Sequence, residues 1–297
     1  MAARCPPRDA RRVAGNLPGQ SAIAELLRAQ SAVAPRSSAA RLFGVSPLAS
    51  GSRGWYETAM SETAVGEALA GLGDDWAVLH ALPVEAGSND IDHLVVGPGG
   101  IYIVNTEHHP GQAVWASQRT FVVSGARHPY IRGMEYEMGR VERLLGAAAG
   151  MPVEVAGILA VVGAKSVTVA EKHRDVAVLS TASLVPWLLD RPVVLDGYRV
   201  AAIAAAAGLE ATWQSDVDPV CAPDDERGGL PDDERDDQRN DQRDDLRDGF
   251  AELRRRVRSA WRVQVAWATG TTVVGAGGLV LVTYSILLNT LGSLGTR

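Results

Sequence analysis

Across residues 55 to 215 the apolar positions alternate between spacings of three or four and spacings of two, the pattern of helices interleaved with strands. TAMSETAVGEALAGLG, closed by glycine, predicts a helix, and DWAVLHALPV predicts a strand. DIDHLVVGPGGIYIVNTEH reads as two strands folded about a glycine turn, and AVWAS and TFVVSG as two more short strands. GMEYEMGRVERLLGAAAG predicts a long helix, VEVAGILAVVG an apolar buried strand and DVAVLS another. TASLVPWLLD and LDGYRVAAIAAAAGLEATW close the region as helices. Elements in this order predict an α/β domain with a central mixed sheet flanked by helices.

The pattern is different on either side. Residues 1–54 mix Ala, Arg, Pro, Gly and Ser and are read as a basic, partly flexible segment, with one short helical candidate at SAIAELLRAQ, where Ile23, Leu26 and Leu27 share a face. Residues 216–248 form an acidic linker that becomes a near-tetrapeptide Asp/Arg repeat, with Arg235, Arg239, Arg243 and Arg247 on one slowly drifting helical stripe and no apolar face to dock it. Residues 249–265 predict a basic amphipathic helix, with Phe250, Leu253, Val257 and Trp261 spaced by three and four among five arginines.

After Arg262 no charged side chain occurs until Arg297, so residues 266–290 are expected to form one transmembrane helix. The arginines before it, under the positive-inside rule, predict a tail-anchored, single-pass protein of the cell membrane with its N-terminal domain cytoplasmic. Membrane contact through the C-terminal helix and the Arg-rich segment is the expected partner interaction. No apolar stretch near the start predicts a secretory signal.

Charge changes the picture in one respect. The formal net charge of −6 conceals a basic first segment, with seven Arg against Asp9 and Glu25 in residues 1–50, and an acidic body, with eighteen acids against ten bases from Trp55 to Glu210. Nonspecific nucleic-acid affinity comes mainly from Lys and Arg displacing counterions, so an acidic body does not announce a DNA groove. The two cysteines, Cys5 and Cys221, provide neither a disulfide framework nor a zinc spacing. Phosphate-binding GxxxxGK[ST] and nucleophile-elbow patterns are missing as well.

The candidate chemistry lies at the open end of the hairpin. With Gly97 to Gly100 as the connection, Val96 faces Ile101, Asp92 falls opposite Asn105 and Asp90 opposite Glu107. Alternation puts Asp90, Asp92, Leu94, Val96, Ile101, Ile103, Asn105 and Glu107 on one face, apolar near the turn and acidic at the far end. Like charges across a ladder repel; a divalent cation with oxygen ligands would relieve them, and so would strand ends splayed into water. His93 alternates to the opposite face and is read as a packed, hydrogen-bonded histidine, His108 and His109 as surface residues, and Glu67 as a plain exposed helix residue.

The run DIDHLVVGPGGIYIVNT, the helix carrying Trp55, Ala59, Glu62, Val65, Gly66 and Leu69, and HPYIRGMEYEMGRVERLL together resemble the nuclease-related domain, NERD, in its actinobacterial form. That family looks like a branch of the PD-(D/E)xK nuclease fold, in which a helix Glu, a strand Asp and a (D/E)xK triplet surround one or two magnesium ions. The resemblance places the helix acid on Glu62, the strand acid on Asp92 and the triplet on Asn105, Thr106 and Glu107. It implies metal ligation by Glu62, Asp92 and Asn105, catalytic roles for Asp92 and Glu107, and Mg²⁺ or Mn²⁺ as cofactor. Asp90, Arg132 and Glu137 are further candidates.

Glu107 stands where the pattern has lysine. An ammonium beside the attacking water stabilises charge developing on phosphorus, whereas a carboxylate repels both phosphate and hydroxide. The expectation is therefore a membrane-anchored nuclease-related protein with a degraded metal site, binding a divalent metal and DNA or RNA with little or no cleavage. Two alternatives stay open: an active Mg²⁺-dependent DNA endonuclease or exonuclease, with the missing charge supplied by a residue such as Arg132, and a membrane-tethered protein-interaction module.

Overall fold

The computed structural model describes residues 13, 15–32, 34–84, 90–213 and 232–294; of the last span, the side chains of 232–236, 268 and 270–294 lie outside the description, as do residues 216–231 of the expected 216–248 linker. The chain divides into two compact units, Met1–Leu27 with Arg53–Arg247, and Arg28–Ser52 with Asp248–Arg297.

The first unit is built on a mixed five-stranded sheet of order β1-β2-β3-β7-β9, comprising Ala77–Leu82, Ile91–Gly97, Gly100–His108, Val155–Val162 and Val176–Ser180. β1, β2 and β3 pair antiparallel, whereas β7 joins β3, and β9 joins β7, in parallel. The hairpin register is the expected one, with Gly97 opposite Gly100 and Val96 opposite Ile101. A second sheet, β6-β5-β4-β8, holds Ala126–His128, Phe121–Val123, Ala113–Ala116 and Ser166–Val169. The single sheet read from the sequence is thus two. β6 and β8 are three and four residues long and largely exposed, too short and too polar to leave a period of two.

Alternation along β2 and β3 sorts the core. Leu94, Val96, Ile101 and Ile103 face one side with Met134, Met138, Val141 and Leu145 of helix α4, Tyr130–Ala149. Val95, Tyr102 and Val104 face the other with Val65 and Leu69 of α3, Arg53–Leu69, and Leu184 and Leu188 of α5, Thr181–Leu189. Each fully buried aliphatic side chain contributes roughly 1.5–3 kcal/mol. α4 stops at Gly150, whose φ of 66° is cheap only without a side chain. Gly157 of β7 lets α4 approach the sheet, since a Cβ there would lie 2.3 Å from Met134 Cγ. Helix α6, Gly197–Ala207, and the short turn Glu210–Trp213 close this unit, with buried Trp213 donating from Nε1 to Ala207 O at 2.8 Å. Helix α1, Gln20–Ser31, buries Ala22, Ile23 and Leu26.

The second unit is formed by residues 28–52, which include α2, Ser38–Leu42, and the later part of α7, Asp232–Leu294. Phe250, Leu253 and Ala260 are buried, Trp267 Nε1 donates to Leu42 O at 2.8 Å, and the Trp267 ring lies 5.6 Å from that of Phe43.

The expected transmembrane helix over 266–290 is corrected here. Among the described residues no helix is long and apolar enough to cross a membrane, which overturns the tail anchor, the single-pass membrane location and the membrane as partner. Residues 266–290 continue the 63-residue α7, whose first half carries the Asp/Arg repeat, and Trp267 has its indole N–H on a protein carbonyl.

Candidate functional site

β2 and β3 part company at the acidic end. Their ladder runs from Gly97–Gly100 to His93–Val104 and stops, while β3 continues beside β7 as far as His108. The β1–β2 ladder is also interrupted there, between His80–His93 and Leu82–Ile91, where Ala81 takes a φ of 47°. A side chain fills the gap: Thr106 N–H donates to Asp92 Oδ2 at 2.7 Å. The carboxylate thus takes the place of the next ladder bond, and Asp90, rather than facing Glu107 in a ladder, is reached by the Ser21 hydroxyl of α1.

Around Asp92 the structure gathers most of the expected residues. α3 supplies Glu62, β3 supplies Asn105 and Glu107, and α4 supplies Glu137, whose Oε2 accepts from Asn105 Nδ2 at 2.6 Å. Asn105 Oδ1 is buried and has no hydrogen-bond partner. Arg132 sits on the exposed face of α4.

Burial of several carboxylates together dictates their charge. Burial, with Asp92 and Asp90 adding repulsion, pushes Glu62 up to about 9. Asp92 is raised to about 7 by burial, against the opposing hydrogen bond from Thr106 and with the help of Glu137 and Asp90. Glu107 rises to about 8 through burial; the Tyr130 hydroxyl donates to it and opposes the rise, while Asp92 and Glu137 reinforce it. Glu137 is raised by burial, with the Asn105 amide and Arg140 pulling the other way. Near neutral pH the pocket therefore lowers its charge by holding protons.

Three partners of the site were not expected there from the sequence. Tyr130 belongs to the recognisable HPYIRGMEYEMG run, but a hydroxyl reaching from α4 to β3 has no local signature. Ser21 comes from a segment read as partly flexible. His109, expected at the surface, is 8% exposed, with Nε2 at 3.9 Å from Glu107 Oε2 and rings of Phe121, His128 and Tyr130 around it. His93 is packed as expected: it is fully buried, with Nδ1 2.8 Å from His80 Nδ1, and burial lowers the pKa of both rings.

The donors Glu62, Asp92 and Asn105 are oxygens of the kind Mg²⁺ and Mn²⁺ accept. Their arrangement does not fit an ion. Among the described residues no group of three or more His, Cys, Asp or Glu side chains could hold a metal, which corrects the expected metal-binding function. The hydrogen bonds give the physical reason: Asp92 Oδ2 is turned onto Thr106 N–H and the Asn105 amide onto Glu137, so both side chains are already engaged with protein partners.

Comparison with known proteins supports the class of the region and goes no further. Residues 58–161 match the sequence model of the nuclease-related domain, NERD, and so contain most of α3, the hairpin and α4 with all the carboxylates named above. No curated protein matches the chain. Among solved structures, the Ca²⁺ complex of Pyrococcus furiosus SfsA is similar over 52% of this chain and 53% of that one, at 14% identity and a TM-score of 0.18, a value too low to establish a shared fold.

Proposed function

We propose that residues 53–213 form a nuclease-related module of the PD-(D/E)xK type that binds rather than hydrolyses, its pocket neutralised by protons. One observation carries this reading. Glu107, at the position where the resemblance puts an ammonium, is a buried carboxylate bonded by Tyr130 and surrounded by Asp92 and Glu137. Such a pocket has no positive charge at that position to receive a developing phosphorane.

The test is incubation of the full chain with linear and supercoiled DNA and with RNA, in Mg²⁺ or Mn²⁺. The expected result is no cleavage, by the natural sequence or by Glu107→Lys, because a lysine alone leaves Asp92 engaged with Thr106 and Asn105 with Glu137. Metal-dependent cleavage that disappears in Asp92→Ala overturns the reading.

A further inference from the structure

The five-stranded sheet has two edges, and they are treated differently. At the β1 edge the strand is kinked at Ala81, and Asn16 Nδ2 donates to Ala81 O at 3.0 Å, devices that discourage another strand from pairing. β9, at the opposite edge, pairs only with β7 among the described residues. Gly157 N–H donates to Asp175 O at 2.8 Å, so Asp175 faces β7 and alternation turns the backbone of Val176, Val178 and Ser180 outward. Val176 N–H is taken by His173 Nδ1 at 3.0 Å. The N–H and C=O of Val178 are left in the middle of an open edge.

A cavity of about 390 Å³ surrounds that edge. Its wall includes Val176 and Val178 together with Ala177 and Leu179. Successive strand residues point to opposite faces, so a cavity touching all four embraces the strand edge from both sides. One side is floored by Ile131 and Val169; the other ends in Trp187, with the Arg191 guanidinium 4.3 Å above its ring. Lys172, Arg174 and Arg191 line it with Glu171 and Asp175; Arg174 Nε lies 3.6 Å from Asp175 Oδ1 and Arg191 Nη2 3.3 Å from Asp190 Oδ2, surface pairs that an incoming carboxylate can exchange, and Lys172 adds a further cation.

We infer that the outer edge of β9 and this cavity form a docking site for an extended acidic peptide, which adds to the sheet as a strand. Main-chain bonds to Val178 supply affinity without regard to sequence. Alternate side chains enter the apolar recess on one face and meet Trp187 and Arg191 on the other, and carboxylates of the peptide answer Lys172 and Arg174. The inference does not depend on the chemistry of the carboxylate pocket.

The experiment is fluorescence polarisation of a labelled five-residue peptide alternating glutamate and valine, titrated with the full chain. Saturable binding is expected, weakened about tenfold or more both by N-methylation of the peptide's central amides and by the exposed double substitution Lys172→Glu, Arg174→Glu. Slowed exchange of the Val178 amide in the complex is the accompanying signature, and it reports on the edge even if a substitution disturbs folding. No saturable binding, binding indifferent to N-methylation and charge reversal alike, or a concentration-dependent dimer that protects the Val178 amide without peptide overturns the proposal.

Discussion

Replacing Glu62 by glutamine tests the protonated pocket directly. Glu62 has an ordinary pKa of 4.5 and is raised to about 9 in the fold, first by burial and then by Asp92 and Asp90. Between those values the folded state holds a proton that the unfolded state has released. The unfolded state therefore binds fewer protons, and the stability supplied by this group falls as pH rises through the window. Glutamine keeps the shape and a hydrogen-bonding amide but has nothing to titrate. One group held in this way contributes a slope of about 1.4 kcal/mol per pH unit, so the variant gains roughly 2–3 kcal/mol on the natural protein between about pH 5 and pH 7. Urea unfolding of the full chain, followed by near-UV circular dichroism at both pH values, measures the gain as a change in the midpoint difference. A difference that stays the same at both pH values would refute a raised Glu62 pKa and, with it, the picture of a pocket held by protons.

Two other substitutions probe the surroundings. Tyr130→Phe removes the hydroxyl that donates to Glu107 and leaves a buried acceptor, at a cost of about 1–3 kcal/mol in the same unfolding assay. The loss should be larger above about pH 8, where the Glu107 carboxyl is ionised, than at neutral pH, where it holds its proton. Gly157→Ala sets a methyl against Met134 and should destabilise by about 1–3 kcal/mol, visible as a lower Tm, while an alanine at exposed Gly139, where nothing lies within 4 Å of the added carbon, should not lower it.

The hairpin shows how far sequence reasoning reaches. Its register and the division of its faces follow from the Gly97–Gly100 turn and the alternation beyond it, and both are found. The reading breaks down at Asp90 and Glu107 because it extends a ladder that Asp92 has already ended by accepting from Thr106. A side chain competing with the backbone leaves no trace in periodicity. Glu137 could be named as a candidate from its helix, but the Asn105 amide that engages it could not, since that contact depends on how α4 crosses the sheet. His109 was misplaced for the same reason: beside His108 it reads as surface, and only the second sheet and Tyr130 enclose it.

The second unit also constrains the order in which the protein can be made. The indole of Trp267 and the carbonyl of Leu42 are 225 residues apart in the chain. At about 5–20 residues per second, the first half of this unit leaves the ribosome some tens of seconds before its partner exists. Throughout that interval Phe43 lacks Trp267, and the buried positions of α7 are not yet synthesised. The nuclease-related region between them is complete much earlier and can fold first, shortening the tether that separates the two halves and so lowering the entropy lost when they meet. Completion of the second unit thereby reports that the whole intervening chain has been translated, and a ribosome stalled before Trp267 leaves Phe43 without its ring partner.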